Sequence, residues 1–100
     1  MSEQIRPRLP VHIRKNGDVD NEIVNLRASM GEELEWFSDS DEFNIEFPIS
    51  PFVNGRKFVV PAGQSVCSGP IRDDAPQTLY LYNVRNVALA MSADPGVNIK

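Results

Sequence analysis

Apolar and polar side chains alternate with a period of two along most of this sequence, and that period belongs to strands rather than helices. Leu9, Val11 and Ile13 alternate with His12 and Arg14. Val24, Leu26 and Ala28 share one face of 22–28, against Ile23, Asn25 and Arg27. Leu34 and Trp36 oppose Glu33 and Glu35, and Phe43, Ile45 and Phe47 oppose Asn44 and Glu46. Lys57-Phe58-Val59-Val60 reads as a short strand ended by Pro61, and Val66 as the centre of another, bounded by Gly63 and Gly69-Pro70. The run Thr78–Val84, with β-branched Thr78 and Val84 and aromatic Tyr80 and Tyr82, is the most strand-like of all, and Val97-Asn98-Ile99 closes the series. Val87–Ser92, rich in Ala, Leu and Met, is the one helix candidate and fits a strand equally well.

Turn signals separate these runs: Asn16-Gly17-Asp18, Ser38-Asp39-Ser40-Asp41, Asn54-Gly55, Ala62-Gly63, Asp73-Asp74-Ala75-Pro76 and Asp94-Pro95-Gly96. Short strands spaced this way predict an all-β fold, an antiparallel Greek-key β-sandwich of about seven or eight strands. A chain of 100 residues has room for one core. The expected organisation is a loose N-terminal arm over 1–8 and a single domain over 9–100.

Composition narrows the function classes. Hydrophobic residues at 41% and charged residues at 24% are ordinary for a folded domain. No apolar run approaches the ~20 residues of a membrane-spanning helix. The first residues carry mixed charge with no apolar run after them, so they do not read as a secretory signal, and a cytoplasmic location is expected. A net charge of -4 argues against nucleic acid as a partner, because that affinity rests on neutralising phosphates. Arg6, Arg8, Arg14 and Lys15 do cluster, but without aromatic residues for stacking. Cys67 is the only cysteine, which rules out an internal disulfide, and it reads as a small apolar strand residue. A reactive thiolate needs a neighbouring base or cation, and the only histidine, His12, is far away in sequence.

The segment Gly31-Glu32-Glu33-Leu34-Glu35-Trp36-Phe37-Ser38-Asp39-Ser40-Asp41-Glu42-Phe43-Asn44-Ile45-Glu46-Phe47 resembles the central hairpin of the cupredoxins, the blue-copper sandwich family. That family carries Gly-Asp-x-Val-x-Trp/Phe, a polar turn, then His-x-Val-x-Phe. Leu79-Tyr80-Leu81-Tyr82-Asn83 is similar to the family's Tyr-x-Phe-Tyr-Cys strand, which opens the ligand loop. Asp94-Pro95-Gly96-Val97-Asn98-Ile99 resembles the last strand of some copper-free relatives. The likeness covers roughly the last two-thirds of the chain in order and spacing. It implies a cupredoxin-like fold with the copper ligands mostly replaced. Phe43 stands where the first histidine belongs, and Asn83, Asn86 and Met91 stand at the positions of Cys-x-x-His-x-x-x-x-Met. Only the thioether remains, the weak axial ligand of such sites. No cofactor is expected. Asn83 and Asn86 could hold the loop closed by hydrogen bonds, while Phe43 continues the apolar face of Ile45 and Phe47 and Met91 packs beside it.

Carboxylates gather between positions 32 and 46. On a hairpin, Glu33, Glu35 and Glu46 would share the outer face, with Asp39, Asp41 and Glu42 at the tip. Such a face solubilises and protects an edge, or docks a basic partner. Asp39-Ser40-Asp41 and Asn16–Asn21 offer loop oxygens, but neither matches a full calcium loop. No Gly-x-Ser-x-Gly or phosphate-binding glycine loop is present, and a catalytic triad would have to use His12, on the outward side of its strand. The chain is therefore expected to be no enzyme. It reads as a copper-free binding or structural module for a protein partner, with an edge strand as a route to a homo-oligomer. The alternative is a metal-handling protein that binds copper through Met91, His12 and Cys67 in an atypical site.

Overall fold

In the computed structural model the described residues form ten strands and one short 3₁₀ turn. It describes residues 7–15, 17–39, 41–86, 92–93 and 95–100, with the side chains of 92 and 93 excepted. The strands are β1 (Arg8–Ile13), β2 (Ile23–Leu26), β3 (Glu33–Ser38), β4 (Phe43–Glu46) and β5 (Lys57–Val60). They continue with β6 (Ser65–Cys67), β7 (Leu79–Leu81), β8 (Asn83–Arg85), β9 (Ser92–Ala93) and β10 (Gly96–Ile99). The all-β expectation holds. The helix candidate at 87–91 lies outside the described residues, and Ser92 opens β9. No described helix is long and apolar enough to cross a membrane.

Three small sheets replace the two of a simple sandwich, with orders β1-β3-β6, β2-β10-β7 and β5-β4-β8-β9. Pairing is not antiparallel throughout: β1 runs parallel to β3, with Val11 opposite Trp36, and β2 runs parallel to β10, with Val24 opposite Val97. Parallel neighbours need a crossover connection, and β2, which leaves for another sheet, supplies the one between β1 and β3. The predicted hairpin over 31–47 does not form, because β3 pairs with β1 and β6 while β4 pairs with β5 and β8. Between β2 and β3 a 3₁₀ turn, Ala28–Met30, ends on Gly31 at φ 66, a left-handed conformation that glycine adopts without a Cβ penalty. Ala28 therefore sits in this turn, exposed, rather than continuing the buried face of Val24 and Leu26.

The core lies where side chains from all three sheets meet. Trp36 from β3 is fully buried and packs on Phe58 of β5 at a ring distance of 5.0 Å and edge-on to Tyr82 at 5.7 Å. Phe47 meets Tyr82 at 4.9 Å and Phe52 at 5.6 Å. Leu34 is buried on the face it shares with Trp36, as are Phe43, Ile45 and Phe47 on theirs. Tyr82 is the joint of the molecule: β7 before it pairs with β10, and β8 after it pairs with β4. One extended run thus serves two sheets, and Tyr80, Tyr82 and Val84 remain buried through the change.

Candidate functional site

At the end of β4 the ladder with β8 pairs Asn44 with Arg85, so the next rung sets Phe43 against Asn86. Both side chains are buried on the inner face. Phe43 belongs to the rung that bonds toward β5, where it faces Val60, so the position opposite it on the β8 side, that of Asn86 when the register is continued, is of the close, non-hydrogen-bonded kind. Asn83 has the opposite parity. It is half-buried and stands opposite the exposed Glu46. Met91 lies outside the described residues. The structure therefore brings together two of the four positions that the resemblance assigns to copper ligands, and it turns a third to the other face. A phenyl ring and a carboxamide on that rung supply neither thiolate nor imidazole, so they do not fit a blue copper ion.

The acidic residues disperse. Glu33 is buried at the start of β3, the central strand of the first sheet, where its Oε1 accepts the Gly69 N–H at 3.2 Å. Glu35 lies near Arg8 on β1, at 4.0 Å. Asp39 pairs with His12 Nε2 at 2.7 Å, and the backbone carbonyl of Asp41 accepts the Ser38 hydroxyl. Glu42 and Glu46 are exposed, and Glu46 belongs to the third sheet. Because β3 and β4 are not neighbours, no single hairpin face collects these carboxylates. His12 and Cys67 are likewise apart, on β1 and β6 with β3 between them. Two strand spacings are about 10 Å, beyond what one ion bridges. Burial and the carboxylates Glu33 and Glu35 push the Cys67 thiol up, with Arg8 opposing, so the thiolate is disfavoured.

The second sheet presents something different. On its outer face one row runs Ile23, Gly96, Leu81, and the next runs Asn25, Asn98, Leu79. Ile23, Leu79 and Leu81 are 51%, 46% and 53% exposed. Gly96 is what lets them converge. A Cβ there would sit 3.0 Å from the Leu79 and Leu81 methyls and 3.2 Å from that of Ile23, so the three side chains close over bare backbone. Asn98 donates to Asn25 at 3.1 Å, which satisfies part of the neighbouring polar pair.

This pad runs into a groove of about 410 Å³ lined by Pro48, Ile49, Pro76, Thr78, Leu79, Tyr80 and Leu81, with no charged residue among them. Ile49 is 69% exposed on its far wall. The groove has a covalent cause. The β4–β8 ladder ends at Glu46 opposite Asn83, and its next hydrogen-bonding rung, two residues on, would set Pro48 against Leu81. Proline has no N–H to give, and the chain diverges there. The wall is braced from behind by Arg72, whose Nε and Nη2 donate to the Ser50 carbonyl at 3.2 and 2.9 Å. Tyr80 closes the base, its hydroxyl donating to the Pro76 carbonyl at 2.7 Å.

Sequence reasoning passed over this surface. The available signal was that Ile23, Leu79 and Leu81 stand at outward positions, where a solvated strand face carries polar residues. No family model, no curated protein and no solved structure matches the chain.

Proposed function

We propose that this chain is a non-catalytic, copper-free module of cupredoxin-like fold whose work is to bind a protein partner. The observation that carries this proposal is the uncharged pad of Ile23, Leu79 and Leu81, continued by Ile49 across the groove. Clustered, exposed apolar side chains of this kind mark interaction surfaces, because leaving them in water forfeits about 25 cal/mol per Å². The β4–β8 register supports the cupredoxin-like part, since the resemblance assigns Phe43 and Asn86 to one ligand set and the register, continued by one residue, sets them opposite each other. The donors at that rung favour packing over metal chemistry.

Affinity capture from extract of the source organism tests the binding role, with the parent chain and a Leu81→Lys variant of unchanged circular dichroism as baits. The parent should retain a discrete polypeptide that the variant releases. Retention of the same set by both baits would remove the pad from the account. A copper or zinc ion found by native mass spectrometry and lost on Cys67→Ser or His12→Ala would replace a binding module with a metal-handling protein.

A further inference from the structure

The main chain of β7 spends its hydrogen bonds on one side only. In the β7–β10 ladder, Tyr80 faces Val97, Tyr82 N–H donates to the Pro95 carbonyl at 2.9 Å, and Ile99 N–H donates to the Thr78 carbonyl at 2.9 Å. Antiparallel ladders alternate, so residues 78, 80 and 82 spend their main-chain groups on β10. The N–H and C=O groups of Leu79 and Leu81 therefore point the other way, into the groove. There the rungs that would have met them are cut off by Pro48.

An edge of this kind is ordinarily blunted. Natural sheets place Lys or Pro on open edges, because unpaired main-chain groups recruit any extended chain. Two of the other edge strands follow that rule, β1 with Pro10 and β5 with Lys57, while β2, β6 and β9 carry neither residue. β7 carries neither, and Thr78, Leu79, Tyr80 and Leu81 leave it uncharged and regular.

We propose that the groove takes an extended, uncharged peptide segment of a partner protein, which adds to the free edge of β7 as a further strand. This rests on the binding role argued above and names the chemistry of its partner. Main-chain hydrogen bonds to Leu79 and Leu81 give the affinity, and alternate apolar side chains lie on the pad beside them. The occupant is uncharged because the lining has no charge to pair with one that loses its water. It is a single segment, because Pro48 and Ile49 stand as a wall across from β7 and a second copy of this chain would bring a whole sheet edge against them.

The capped peptide acetyl-Thr-Val-Thr-Val-Thr-amide serves as the probe, with a counterpart N-methylated on its three central residues. Nitrogen-15 NMR of the full chain reads binding, and amide exchange reads the edge. Binding of the first peptide should be saturable and should slow exchange at Leu79 and Leu81 at least tenfold. The methylated counterpart should bind at least tenfold more weakly. Leu81→Pro, which deletes one edge donor at a position where an edge strand tolerates proline, should weaken the first peptide similarly, with Leu81→Lys as a second variant. Equal binding of both peptides, abolished by Ile23→Lys, would overturn strand addition while leaving a binding pad. A parent dimer with Leu79 and Leu81 already protected would make the occupant a second copy and overturn the proposal. No saturable binding of the first peptide at millimolar concentration would also overturn it.

Discussion

Replacing Tyr82 by Phe removes one oxygen from the centre of the core and leaves the ring against Phe47 and Trp36. Among the described residues, the Tyr82 hydroxyl and the Trp36 Nε1 are both buried without a hydrogen-bond partner. Burial pushes the Tyr82 phenol from 10.0 up to about 12. The indole of Trp36 favours the phenolate and offsets part of this, although it falls outside the geometry of a formed hydrogen bond, and the negative Asp20 adds to the rise. The sign follows from proton counting. Below pH 10 both states hold the proton and the group contributes no pH dependence. Between pH 10 and 12 the unfolded chain releases it while the native chain keeps it, so stability falls as pH rises and has fallen fully above about 12. Two pH units at about 1.4 kcal/mol each give a loss of about 3 kcal/mol.

Urea unfolding of the parent and Tyr82→Phe, followed by circular dichroism at pH 8, 10, 11 and 12, measures this directly. Other groups that titrate in this range are common to both proteins and cancel in the difference. The parent should lose about 3 kcal/mol relative to the variant between pH 10 and 12. At pH 8 the variant should match the parent or exceed it by about 1 kcal/mol, because an unpaired buried hydroxyl costs free energy that phenylalanine does not. Parallel decline of the two proteins would refute the buried phenol. A loss at pH 8 above about 1 kcal/mol would show that the hydroxyl has a partner.

Trp36→Ala should cost about 3–5 kcal/mol in the same assay, and the parent's emission should be blue-shifted and shielded from aqueous quencher. Solvent-like emission from the folded parent would place Trp36 outside the core. Phe43→His combined with Asn86→His puts two imidazoles across one close rung, so Zn(II) should raise the melting temperature of that variant and leave the parent unmoved. Adding Asn83→Cys should bring no Cu(II)–thiolate absorption band, because that position faces the other side, and appearance of such a band would overturn the β8 register. Arg72→Ala should cost about 1–3 kcal/mol by releasing the Ser50 carbonyl, and Arg72→Lys should not restore it, since one ammonium cannot reproduce the two-pronged contact.

Faces were legible in the sequence and partners were not. Alternation assigns Leu34, Trp36, Phe43, Ile45 and Phe47 to the interior, and they are there, because a period of two leaves one set of side chains inward. The same alternation is silent about which strand lies alongside. Residues 31–47 therefore read as a hairpin although β3 and β4 join different sheets. Thr78–Val84 read as one strand because side-chain parity is unbroken at Tyr82, while the change of neighbour is a main-chain event. Glu33 matches Glu35 in parity yet is buried, since the N–H of Gly69, distant in sequence, covers it. The groove was hidden for a related reason. Pro48 marks a missing rung only once β4 and β8 are known to be neighbours.

The parallel pairing of β2 with β10 has a temporal side. Ribosomes deliver a chain from its N-terminal side at about 5–20 residues per second, so β2 is made seconds before the strand that flanks it. Throughout that interval Ile23, Val24 and Leu26 have no neighbour within their own sheet. Such late closure raises contact order, which slows folding and lengthens the exposure of an apolar strand to other nascent chains. The β2 segment thus gains its sheet only with the arrival of Gly96–Ile99.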